Sequence, residues 1–109
     1  MTLFVGSYTG NQTNAALVAG IPGKRLLVLR MQGSLETPGF LKLISDPGGA
    51  GQADLTPPLY LGAYGSVDVR SGRDGGLATA TGKGLGLTSS LAGPQRGRGV
   101  MIWYEVVDG

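Results

Sequence analysis

The 109-residue chain has no histidine and no cysteine. Lacking histidine, it has no side chain whose ordinary pKa lies near neutrality, and it lacks the commonest metal ligand. Lacking cysteine, it has no disulfide framework and no thiolate metal site. Serine and threonine are common, but no histidine can activate them. A Ser-Lys pair using Lys24, Lys42 or Lys83 is conceivable, yet no spacing brings any of these lysines to a serine. Long apolar runs are missing as well. Thr2-Leu3-Phe4-Val5-Gly6 follows Met1 with no basic n-region, so neither a secretory leader nor a membrane span is expected. Charge is sparse, with a formal net charge of +2. The only candidate basic patch is Lys83 with Arg96 and Arg98, set among glycines without interleaved aromatics, which reads as a solvated loop, so no nucleic-acid partner is expected. Together these absences predict a protein that is not an enzyme and binds no metal or cofactor.

Glycine, by contrast, is abundant, at 21 residues. An ordinary chain has about 7%, and each interior glycine costs a helix about 1 kcal/mol relative to alanine. The glycines follow no three-residue period, which excludes collagen. Hydrophobic residues make up 41% and charged residues 15%, values for a folded globular chain. Its length suits one domain.

No window of 11 or more residues keeps a helical apolar period free of glycine or proline. Short apolar runs between turn residues predict strands instead. These are Leu3 to Tyr8, Ala15 to Ala19, Lys24 to Gln32, Phe40 to Ser45, Leu59 to Leu61, Tyr64 to Arg70, Leu77 to Thr81, Gly84 to Ser89, and Gly99 to Val107. Pro22-Gly23 predicts a type II turn, and the glycine- and alanine-rich stretch up to Thr56 an exposed loop. In the Lys24 run, Leu27, Leu29 and Met31 alternate with Leu26 and Val28, so both faces are apolar. In the last run Val100, Ile102, Tyr104 and Val106 alternate with Met101, Trp103, Glu105 and Val107. Gly84 and Gly86, alternating with Leu85 and Leu87, imply that another backbone or a ring comes close to one face. About eight short strands with turns every 8 to 12 residues predict an all-β fold. The architecture expected is a single-domain antiparallel β-sandwich, jelly-roll-like, over residues 15–109, with 1–14 as an N-terminal arm or edge strand.

The weaker motifs read as ordinary turns. Gly82-Lys83-Gly84-Leu85-Gly86 lacks both the first glycine and the Ser/Thr of a phosphate loop and predicts a β-turn with a solvated lysine. Asp46, Asp54, Asp68 and Asp74 lack the spacing of a calcium loop and predict turn aspartates bonded to local backbone. Asn11-Gln12-Thr13 matches a glycosylation sequon, without a secretory signal to make it meaningful.

Residues that are apolar on a strand's second face point to a partner. Leu26, Val28, Met101 and Trp103, together with Tyr60, are the candidate interface, because exposing them all would leave more apolar surface than a monomer usually carries. Leu3, Phe4, Val5 and Tyr8 are the candidate arm, able to add a strand to a neighbour.

One ordered set of segments bears a resemblance. It runs Gly23-Lys24-Arg25-Leu26-Leu27-Val28-Leu29, then Leu41-Lys42-Leu43, Pro57-Pro58-Leu59, Leu77-Ala78-Thr79-Ala80-Thr81 through Leu87, and Gly99 through Val107. This order, over roughly residues 15–107, resembles small proteins of tailed bacteriophages and phage-like particles. In these an opening "GKR-hydrophobic" strand, a late "TA-G-x-x-L-x-L" hairpin and a closing "V-x-Y-x-E-V" strand recur. In place of that group's aromatic-containing lead into the late hairpin, this chain has Gly75-Gly76-Leu77. The resemblance implies a virion component, assembled in the bacterial host cytoplasm: a capsid decoration protein, head-spike base or fibre module. Its implied partners are copies of itself, as a trimer or pentamer, and the major capsid protein or other virion proteins. The alternative is a carbohydrate-binding sandwich of a tail fibre or receptor-binding protein, with Tyr60, Tyr64 and Trp103 stacking on a surface glycan.

Overall fold

A computed structural model describes residues 2–7, 15–35, 38–62, 64–71, 77–91 and 99–109. Nine strands and no helix are found among them: β1 Thr2–Ser7, β2 Ala15–Val18, β3 Lys24–Ser34, β4 Gly39–Ser45, β5 Ala53–Asp54, β6 Leu59–Leu61, β7 Ser66–Arg70, β8 Leu85–Leu91 and β9 Gly99–Asp108. They form two antiparallel sheets. One has the order β1-β9-β3-β7, the other β2-β8-β4-β5, with β6 also on β4.

The pairing is nested. The first strand pairs with the last, β2 with β8, β3 with β7, and β4 with β5 and β6. Further pairing of β3 with β9 and of β4 with β8 rolls this long folded hairpin into two layers. That winding is the jelly-roll arrangement, and the expected antiparallel β-sandwich is the fold observed.

Alternation along the strands supplies the core. Leu41 and Leu43 of β4 and Leu85 and Leu87 of β8 face Leu26, Val28, Met31 and Ile102 of the other layer, all at most 1% exposed. At about 25 cal/mol per Å² of apolar surface, each such side chain contributes roughly 1.5–3 kcal/mol on burial. Turns and close approaches explain part of the glycine content. Gly23 has φ +75°, and Lys24 N–H bonds back to Ile21 C=O at 3.0 Å, the turn expected at Pro22-Gly23. A Cβ on Gly86 would lie 2.8 Å from Ala15 C=O and 2.6 Å from the Pro47 ring, and one on Gly84 2.6 Å from Val18 C=O. These are the close neighbours that the glycine-bearing face of this strand implied.

Several expectations need correction. The register of β3 on β9 shifts between Val28 and Arg30, so Leu29 is an extra residue, a bulge. Before it Leu26 and Val28 point inward, and after it Met31 does. The two-faced alternation expected along β3 is thus broken in the middle. The segment around Leu77 to Thr81 forms a single bridge, Ala78 to Leu27, and no strand. Thr79 is nonetheless fully buried, and its Oγ1 accepts the Leu26 N–H at 3.0 Å. The loop before Thr56 carries the two-residue β5, and Thr56 is itself buried, with Oγ1 accepting Leu43 N–H at 3.1 Å. Of the two forms expected for the N-terminal stretch, arm or edge strand, residues 2–7 take the edge strand of the four-stranded sheet, and Phe4 packs against the core.

Candidate functional site

The outer face of the four-stranded sheet gathers most of the surface chemistry. Cross-strand partners share a face, so the register sets out its rows. One row is Leu3, Trp103, Arg30 and Arg70; the next is Val5, Met101, Gln32 and Asp68. In these two rows the β1/β9 half is apolar, and the β3/β7 half carries Arg30, Arg70 and Asp68. Leu3 is 47% and Val5 65% exposed, while Trp103 and Met101 are half-buried.

The two halves are joined through Arg30. Its Cζ lies 4.9 Å from the centroid of the Trp103 ring, a cation–π contact. Its Nε and Nη2 donate to the two Asp68 carboxylate oxygens at 3.1 and 2.9 Å, a forked pair. Gln32 Nε2 donates to the same carboxylate at 3.4 Å, and the Arg70 guanidinium stands 3.5 Å away. The hydrogen bond from Arg30 holds Asp68 down at about 2, helped by that from Gln32 and by the nearby positive charges. Asp68 is therefore a fixed anion near neutral pH, unsuited to acid–base work. The same bond pushes the Arg30 pKa up.

Beside this network runs an open groove of about 500 Å³ across the same sheet. Val5, Met101, Gln32 and Asp68 stand along it, and it lies where Ser34, Ser66 and Gly99 offer only small side chains or none. Sequence reasoning did not find the groove, because it depends on small residues of separate strands coming into register.

The interface residues named from sequence do not stay together. Leu26 and Val28 are 1% and 0% exposed within this chain's own core, so they offer no side-chain surface to a partner; the bulge at Leu29 is the physical reason. Met101 and Trp103 remain on the outer face. Tyr60 is on the outer face of the other layer, 77% exposed, with its ring 5.6 Å from that of Phe40 at a tilt of 58°. Tyr60 and Trp103 thus face opposite ways and cannot share one stacking platform. Tyr64, 71% exposed, sits just before β7 with φ +57°. Of the arm, Leu3 and Val5 lie beside Trp103 and Met101, and Tyr8 lies outside the described residues.

Of the remaining motifs, the Lys83 segment and Asp46 lie in turns, whereas Asp54 sits in β5 with Lys42 Nζ at 3.2 Å and Asp68 in β7, not in the turns expected for them. Lys83 N–H bonds to Ala80 C=O at 3.0 Å, closing a β-turn with Gly82 at φ +78°. Asp46 Oδ2 accepts the Gly51 N–H at 3.1 Å within its own loop. No cluster of three or more metal-ligating side chains occurs among the described residues. Asp74, Arg96, Arg98 and the sequon lie outside them. A scan against protein-family models gives no match, and neither does a search of curated proteins or of solved structures.

Proposed function

We propose that this protein is a non-enzymatic structural component of a virion, a capsid decoration protein or a head-spike or fibre base. It works through oligomeric contacts of its β-sheets. The observation that carries the assembly role is Leu3 and Val5, exposed beside Met101 and Trp103 on one sheet face. Apolar and aromatic side chains grouped in this way favour contact with another protein surface. The virion setting rests on the ordered sequence segments alone, and the jelly-roll winding is compatible with it. Mass measurement of the purified chain under native conditions tests the assembly role. An oligomer is expected, and a strict monomer at every concentration counts against it. Pull-down with assembled particles tests the setting, with loss of binding expected for Trp103→Ala.

The groove favours a second reading, carbohydrate binding. Gln32, Ser34, Ser66 and Asp68 could supply the hydrogen-bonding rim that sugar hydroxyls need. A glycan array decides it: binding abolished by Gln32→Ala supports this reading, and an empty array removes it.

A further inference from the structure

The two lateral sides of the sandwich differ in how their strand edges are guarded. A sheet edge exposes a row of N–H and C=O groups, and soluble proteins blunt it with charge, proline, bulges or brevity. On one side, β7 carries Asp68 and Arg70, β5 ends in Asp54, and Pro57-Pro58 leads into β6. On the other side, β1 and β2 contain no charged residue and no proline. Of these two, β2 has only 4 residues and a register shift between Ala16 and Val18, which are guards of another kind. That leaves β1. It runs unbroken through six register pairs with β9, and no strand occupies its other edge among the described residues. It also exposes Leu3 and Val5.

We infer that β1 pairs with β1 of a second copy of this chain, antiparallel, so that two four-stranded sheets become one sheet of eight strands. The inference rests on the assembly reading above and deepens it by naming the strand and the partner. Self-pairing suits this strand for two reasons. First, β1 carries no charge, so no like charges meet when it lies against itself. Second, a two-fold axis normal to the sheet keeps both outer faces on one side, and side chains alternate, so each residue must face one of the same parity. With the axis at Phe4, Leu3 of each copy lies opposite Val5 of the other, and Thr2 opposite Gly6. Both exposed apolar residues then gain an apolar neighbour. With the axis at Val5, Leu3 would face Ser7 instead.

Because the chain has no cysteine, the double variant Leu3→Cys/Val5→Cys reads this register directly. Directly opposite Cβ atoms lie about 4.5–5.5 Å apart, close to disulfide reach. Residues two apart on one strand are separated by about 6.6 Å along it and do not bridge within a copy. Mild oxidation of the full chain should yield a covalent dimer on a non-reducing gel, and Ala16→Cys should yield none. Val5→Lys, at a tolerant exposed site, should weaken association tenfold or more by sedimentation, with Leu3→Lys as the second variant should the first fold poorly. An oligomer that survives both lysine variants unchanged and does not cross-link overturns the β1 pairing and leaves assembly through another surface standing. An unmodified chain that is monomeric throughout overturns both.

Discussion

The Arg30 guanidinium lies 4.9 Å from the centroid of the Trp103 ring while two of its nitrogens hold the Asp68 carboxylate. One side chain on β3 thus ties the aromatic residue of β9 to the acid of β7 across three neighbouring strands. Trp103 is the only tryptophan, so the intrinsic tryptophan emission comes from this site.

Arg30→Ala should uncover the indole. The expected result is a red-shifted emission and stronger acrylamide quenching, with only a small loss of stability, since exposed cation–π and ion pairs contribute little each. Unchanged quenching would show that the guanidinium does not shield the ring.

Leu26 and Trp103 should separate stability from assembly. Leu26→Ala empties a core site and should cost about 2–5 kcal/mol in urea unfolding of the chain. Trp103→Ala, on the half-buried outer face, should cost less in unfolding and more in association, read by light scattering. The reverse ranking would place the tryptophan's main role inside the domain.

Gly33→Ala tests how closely the layers approach. Its Cβ would come 2.6 Å from Leu41 Cδ1, in a core where Leu41 is fully buried. Overpacking of this kind costs about 1–3 kcal/mol. A chemical denaturation midpoint equal to that of the unmodified chain would mean that Leu41 moves aside freely.

Asp68 sets an acid limb of stability. Its pKa falls on folding from an ordinary 3.8 to about 2, so its contribution is complete above about pH 4 and fades as the pH drops toward 2. Asp108, held down by the hydrogen bond from Lys24, acts with the same sign. Asp68→Asn should flatten the stability profile between pH 4 and 2, measured by thermal melts, and leave its shape near neutrality unchanged. A profile as steep as before would remove Asp68 from acid denaturation.

Much of the framework was legible because side chains alternate along a strand. Val100 and Ile102 face inward and Met101 and Trp103 outward, as their spacing implied, and Leu41 and Leu43 are buried as a pair. The fates of Leu26 and Val28 were not legible. A single extra residue at Leu29 reverses the face of everything after it, and no local property of Leu-Leu-Val-Leu signals the insertion. Leu77 to Thr81 looked like a strand by composition, yet its backbone is spent on one bridge and on bonds to Leu26 and Val28.

By itself the sequence determined which side chains are to hand and how the chain folds locally. Lacking histidine and cysteine, it has neither the usual base nor a thiol, and its glycine-punctuated runs permit short strands and tight turns. Only the tertiary structure decided which residues meet. The nested pairing of β1 with β9 and β3 with β7 placed Leu3, Trp103, Arg30 and Asp68 on one face and sent Tyr60 to the other. The reason is physical: alternation fixes a residue's side relative to its neighbours in sequence, whereas register, bulges and layer assignment arise from contacts between segments far apart in the chain.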